Sequence, residues 1–244
     1  MTTSYSITRD QVIVTALRKL GAVEPADTAS TIDANIVTNS AQALNLMIKQ
    51  WATDGIKIWT NVELTLPLVA SQSSYTIGPT GDLVTDRPMK LVQAWLRNTS
   101  VTPNIDTPLQ ILSREEYNVL GSKGSTGVTN SVFLLPGVTS SKIYVYLTPD
   151  TGTASNYSLH MIVQKQIDDV SSSSSVPDFP VEWYQALVWG LADQLALEFS
   201  LPAGHRQEIM AKAEMYREQV SSASVEYEST LFIPNMRMFN NSYA

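Results

Sequence analysis

The chain has 244 residues, of which 43% are apolar and 16% charged, with a mean hydropathy of -0.04 and a formal charge of -7. Its length suits one large domain or two small ones, and its apolar share is that of a globular protein with a buried core, which excludes wholesale disorder and collagen-like or coiled-coil composition. There is no cysteine, so disulfide scaffolds, thiolate zinc sites, iron–sulfur clusters and cysteine nucleophiles are excluded.

The opening MTTSYSITRDQ lacks the basic-then-apolar order of a secretory signal, and no apolar run approaches the roughly 18 residues of a membrane span, so a cytosolic origin and no membrane partner are expected. Thr8 and Gln11 have capping-box spacing, Ile7 and Val12 stand as a hydrophobic staple, and Val12, Ile13, Ala16, Leu17 and Leu20 recur with helical period until Gly21. A helix over 8–20 is predicted. Ile32, Ile36, Ala43, Leu44, Met47, Ile48 and Trp51 then repeat at three and four, with Asp54-Gly55 placed as a left-handed cap. This second, longer helix is expected to pair with the first as a hairpin through the loop at 21–31.

From Ile56 the period changes to two. Val62, Leu64 and Leu66 alternate with polar neighbours, and the runs Ser74–Ile77, Met89–Leu96, Val132–Leu135, Lys142–Leu147 and Tyr157–Gln164 are rich in β-branched and aromatic residues between turn formers. Short strands at this spacing predict an antiparallel sandwich or small barrel from about 60 to 168. One helix, Ser113–Leu120, interrupts it, and GSKGSTGVTNS at 121–131 reads as a flexible loop. Trp59 falls at the handover between the helical and β regions, where it could wedge the two together.

The five serines Ser171–Ser175 read as a linker. Pro177 and Pro180 introduce a helix over 181–199 in which Leu187, Val188, Trp189, Leu191, Leu195 and Leu197 leave little polar face. After Pro202 a last helix from 203 to 222 carries Ile209, Met210, Ala213, Tyr216 and Val220, with Glu214 and Glu218 outside. LFIPNMRMFNNSYA, at 231–244, is apolar but broken by Pro234 and without period. The fold class expected is α+β: a four-helix layer formed by both chain ends, an inserted antiparallel β-domain and an extended C-terminal arm. Its parts are a helical hairpin at 1–59, the β-domain at 60–170, a helical pair at 171–230 and the arm at 231–244.

Catalytic patterns are scarce. GxSxG, GxxxxGK[ST], HExxH and GxGxxG are all missing, and Gly121, Gly124 and Gly127 lack both the Lys-Ser/Thr and the strand that a phosphate loop needs. His160 has no partner Asp or Ser that spacing names, and His205 sits in the first turn of a helix, so a structural or surface role is expected of each. Glu115/Glu116 and Asp168/Asp169 are adjacent pairs whose members point apart on a helix or strand, so neither pair grips one glycosidic bond. No catalytic residue, cofactor or metal is expected. Trp51 and Trp189 lie on apolar helix stripes and read as core. A pI near 4.8 disfavours a single-strand-binding module, and the acid excess concentrates in residues 171–244, which hold nine acidic and four basic side chains.

The ordered set ALRKLG (16–21), MIKQWATDGIKIWT (47–60), ASQSSYTIGPTGDLVTDRPMKL (70–91), IYVYLTPD (143–150) and PVEWYQALVWGLADQLALEF (180–199) resembles the head-to-tail adaptor, or tail accessory, proteins of tailed bacteriophages. SYTIGPTGD with Arg87-Pro88, and the pairing of WxxDG with a later PxEW, carry most of that resemblance. It implies a virion protein at the head–tail junction, made in the host cytoplasm, that forms a ring of twelve beneath the portal protein. Such a ring seals the filled head, extends the DNA channel without sequence-specific binding, and receives the tail nozzle or other tail proteins. The resemblance also implies that the C-terminal arm docks on the portal, which nominates Leu231, Phe232, Ile233, Met236, Met238, Phe239 and Tyr243. In such a ring Glu208, Glu214, Glu218, Glu226 and Glu228 are candidates to face the channel or its rim, the other reading being the solvated outer face of the last helix. An alternative of another class is a carbohydrate-binding or peptidoglycan-cleaving tail module with Glu115 or Asp169 as acid.

Overall fold

The computed structural model describes residues 5–53 and 60–223. Trp59, Gly55, Glu226, Glu228 and the seven arm residues nominated for portal docking lie outside the described residues. The described chain is α+β, with helices at both ends and strands between.

The first helix, α1 (Arg9–Leu20), starts as its sequence predicts: Thr8 N–H donates to Gln11 Oε1 at 2.9 Å while Gln11 N–H donates to Thr8 Oγ1 at 3.4 Å. It stops at Gly21, whose φ of +70° lets its N–H reach back to the carbonyls of Leu17 and Arg18. The rest of its N-terminus is satisfied from far away. Arg9 N–H donates to Ser175 O at 2.8 Å, Asp10 N–H to Ser173 O at 3.4 Å, and the Arg9 guanidinium to Ser171 O at 2.9 Å. The serine run is therefore not a bare linker. Ser171–Ser174 are exposed, but the carbonyls of Ser173 and Ser175 take N–H donors that a helix start leaves unpaired.

The second helix, α2 (Ala34–Thr53), packs on α1 but both lie mainly against α5 (Tyr184–Leu195), so the expected hairpin is less a pair than two sides of a three-helix contact. A 3-10 turn at Val181–Trp183 leads into α5, and α6 (Ala203–Ala223) packs on its other side. The cause is composition: Tyr184, Ala186, Leu187, Val188, Leu191, Ala192 and Leu195 are all buried, which gives α5 apolar surface in several directions. Leu197 and Met210 depart furthest from the predicted stripes. The helix ends before Leu197, which is 69% exposed, and Met210 on α6 is 54% exposed.

The six longer strands fall where alternation predicts them: β1 (Asn61–Pro67), β2 (Ser74–Gly78), β4 (Pro88–Asn98), β8 (Ser131–Leu135), β9 (Ser141–Tyr146) and β11 (Tyr157–Lys165). Shorter ones join them at β3 (Leu83–Val84), β5 (Ile105–Pro108), β6 (Gln110–Ile111), β7 (Thr126–Gly127) and β10 (Thr148–Pro149). One sheet runs β1-β11-β4-β5 and is antiparallel throughout; the second runs β3-β2-β9-β8-β6. Parallel pairing enters where none was expected, at β2–β3, β6–β8 and β7–β10. β3 and β6 are two-residue strands at the two edges of the second sheet, and β7 and β10, also two residues each, form a separate two-stranded sheet. The predicted flexible loop is also corrected, since β7 lies within it and Thr148 N–H donates to Ser125 O at 2.9 Å. Two short helices complete the set: α3 (Arg114–Val119), capped by Ser113 and Glu116, and α4 (Thr151–Asn156).

Most of the buried apolar residues fall into two clusters. One gathers α1, α2, α5 and α6 with Ile167, Val170 and Phe179; the other draws on the two larger sheets, with Leu66, Leu96, Leu159 and Met161 from the first and Tyr75, Ile77, Val132 and Ile143 from the second. The chain enters and leaves the second cluster side by side, because Asn61 opposes Gln164 in the β1–β11 ladder. The return segment is fastened to α2. Val170 N–H donates to Asn45 Oδ1 at 2.9 Å, and Lys49 Nζ donates to Ile167 O and pairs with Asp169, both at 2.7 Å.

Candidate functional site

The motifs singled out in the sequence turn out to be structural joints. In SYTIGPTGD, the Asp82 carboxylate accepts from Thr76 N–H at 2.7 Å and from the Gln72 amide at 3.0 Å, which holds its carboxyl below the usual carboxylate range. Gly81 adopts φ +150°, and a Cβ there would stand 2.7 Å from Thr76 O, so only glycine closes this turn. The Tyr75 hydroxyl donates to Val69 O and accepts from Val69 N–H, and burial pushes its pKa up. Arg87 reaches Gly137 O at 2.8 Å and Gln166 Oε1 at 3.4 Å, linking three segments. The tryptophans of WxxDG and PxEW, far apart in sequence, meet: the rings of Trp51 and Trp183 lie 5.9 Å apart, and Phe179 lies 5.9 Å from Trp183.

His160 has partners that its sequence position did not name. Ser158 Oγ lies 3.2 Å from Nε2, and Nδ1 lies 3.0 Å from Glu63 Oε1 and 3.3 Å from Thr65 Oγ1. This is the hydroxyl–imidazole–carboxylate order of a nucleophile relay. It lacks the relay's setting. His160 is 7% exposed and stacks on Trp95 at 5.6 Å, and β11 is paired on both edges, so the N–H groups around Ser158 are spent in ladders rather than aimed at an oxyanion. The cluster acts as a polar cross-strand ladder on the outer face of the first sheet. Ser158, two residues before His160 and on the same strand face, was the signal available in the sequence.

The other titratable candidates are dispersed. Glu116 is engaged by Ser113 in a capping box and Glu115 stands beside it, exposed. Asp169 is paired with Lys49, and Asp168 is exposed. His205 Nε2 donates to Lys19 O at 3.1 Å, and Lys19 Nζ lies 5.2 Å over the Trp189 ring, which stacks on Tyr216. Trp189 is thus only half-buried and joins the end of α1 to α6, a less interior place than its stripe predicts. Among the described residues no three His, Asp or Glu side chains gather as a metal site, and no helix is long and apolar enough to cross a membrane.

Of the channel candidates, Glu208, Glu214 and Glu218 are on α6 and exposed. Glu214 and Glu218 do more than cover an outer face, because they line a cleft of about 580 Å³ between α2, α5 and α6. Met47, Trp51, Gly190, Met210 and Ala213 supply its apolar surface. Gly190 allows the close approach, since a Cβ there would stand 2.8 Å from the Trp51 ring. The Arg217 guanidinium lies 5.9 Å from the Trp51 ring centroid, and burial pushes the Asp193 carboxyl up while Arg206 pulls it down. This cleft, assembled from three helices, was not foreseen.

No protein-family model matches the chain, and no curated protein matches it. Among solved structures, a chain of the neck of an empty GTA particle, computed with C6 symmetry, aligns with 87% of this chain and 93% of its own length, at 15% identity and a TM-score of 0.27. An overlap at that level establishes neither a shared fold nor a shared role.

Proposed function

We propose that this chain is a structural head-to-tail adaptor of a tailed-phage particle, a homo-oligomeric ring that docks beneath the portal, closes the DNA-filled head, extends its channel and carries the tail. The contact between Trp51 and Trp183 supports this reading most: the tryptophans of the two motifs that carry the resemblance, WxxDG and PxEW, come together in one helical core. On this reading residues 1–59 and 171–230 form the four-helix ring body, 60–170 an inserted sandwich that projects from it, and 231–244 the arm that docks on the portal. Glu208, Glu214 and Glu218, with Glu226 and Glu228, border the channel and repel phosphate so that DNA slides without sticking.

The hydrolase alternative gains little. Glu115 is exposed on a six-residue helix and Asp169 is ion-paired, so neither is the isolated, desolvated carboxyl that a general acid requires. The test is imaging and mass measurement of the chain mixed with the portal of its own particle. A closed ring stacked on the portal is expected, and its loss on deleting 231–244. A chain that stays monomeric with portal present overturns the reading. Replacing Glu214 and Glu218 together by Lys should slow DNA ejection, most at low salt where screening is weakest.

A further inference from the structure

The cleft between α2, α5 and α6 ends where the described chain ends. Ser221 lines it, and α6 closes at Ala223. From there 21 residues follow, 224–244, so the C-terminal segment begins at the mouth of the cleft. Its composition matches what the cleft offers. The cleft has an apolar surface, with Met210 more than half exposed, under a rim of three carboxylates, Asp193, Glu214 and Glu218, against the guanidinium of Arg217. Residues 231–239, LFIPNMRMF, hold six large apolar side chains and one charge, the cation Arg237, with no acid anywhere in 231–244. The Asp193 carboxylate, half-buried on the cleft wall, makes no hydrogen bond or close ion pair among the described residues, and Arg206 acts on it only by longer-range attraction.

We propose that in the free chain residues 231–239 fold back into this cleft, with Met236 over Met210 and Arg237 against Asp193. The connector suffices: residues 224–230 span up to about 25 Å when extended, whereas α6 rises about 17 Å from Met210 to Ser221. An apolar segment of this kind, left in water, invites self-association, and a cleft in the same chain removes that hazard at high local concentration. Docking elsewhere then competes with the cleft, and leaving it uncovers Glu214 and Glu218. The inference goes beyond the adaptor reading and does not require it, because it is tested on the isolated chain without portal.

The absence of native cysteine makes a direct test available. A full-length chain carrying Met210→Cys and Met236→Cys is oxidised by oxidised glutathione at low protein concentration, beside a control pairing Met215→Cys, on the same helix but outside the cleft, with Met236→Cys. The expected product is an intramolecular disulfide, seen as a reducible monomer band, at least tenfold faster than in the control. Asp193→Arg should slow it severalfold, and adding Arg237→Asp should restore it, which separates charge pairing from damage to the fold. A ladder of disulfide-linked dimers overturns the proposal in favour of a second copy as occupant. Equal rates in the two pairs, or no rescue by the reversed charges, also overturn it.

Discussion

The helical core and the β core bury apolar surface in different ways. The helical core has a keystone: α5 touches α1, α2 and α6, and the three meet one another mainly through it. The β core has none, since its buried residues come from several strands of two sheets and no single strand is shared by both. A fold with a keystone concentrates the effect of a defect; one with shared walls spreads it.

The largest test compares two leucines of the same burial. Leu187 on α5 and Leu159 on β11 are both 0% exposed, and Leu→Ala at either should cost about 2–5 kcal/mol in urea unfolding. Native-state hydrogen exchange separates them. Leu187→Ala should lower protection in α1, α2 and α6 together, whereas Leu159→Ala should lower it in the first sheet and leave α1 near its original value. Equal loss in α1 from both variants would remove the distinction.

Asn45 sits where the two cores are fastened. Asn45→Ala leaves the Val170 N–H without its partner, at about 1–3 kcal/mol, and should speed proteolytic cleavage near residues 166–175 before either core unfolds. Thr8→Ala is smaller still, about 0.5–2 kcal/mol from loss of the α1 cap, and its effect should be muted by the carbonyls of Ser173 and Ser175 that hold the same helix end. Thermal unfolding of Thr8→Ala and Thr8→Ser would show whether the side-chain cap or those carbonyls dominate.

Asp82 gives the smallest effect, and one that depends on pH. Its folded-state pKa is depressed, chiefly by the Thr76 N–H and then by the Gln72 amide, so the unfolded chain binds more protons in the window below the ordinary carboxylate value of about 4. The stabilisation is present above that value and is lost as pH falls through the depressed one. Asp82→Asn should therefore reduce stability at pH 6 and leave it close to the parent at pH 2, as read by urea midpoints; an equal loss at both would show that the turn needs the shape of Asp82 rather than its charge.

What the sequence made legible was local. Thr8 and Gln11 name a capping box three residues apart, Gly21 names its stop, and alternation over five or more residues names the longer strands. What it left unread depends on backbone groups or on distance. The carbonyls of Ser171, Ser173 and Ser175 look like those of any residue, so nothing in five serines announced that they would receive the first turn of α1. Two-residue strands such as β3 and β7 have no period and exist only because a neighbour is already in place. Glu63 stands 97 residues from His160 in the chain yet reaches it across one ladder, and the α2/α5/α6 cleft exists only once three separate apolar stripes have met. The contact of Trp51 with Trp183 belongs with these, since the two motifs marked a resemblance in the sequence and only packing brought their rings together.

The opposition of Asn61 and Gln164 reaches beyond packing. Two chain points one strand spacing apart, about 4.8 Å, are a pair of sockets. Whatever is plugged between them can lengthen, change surface or be replaced wholesale, and the helices on the other side see the same two attachment points. Recombination between relatives that share such sockets can trade what projects from the helical part without altering how that part closes, so surface novelty and core fidelity need not evolve at the same rate.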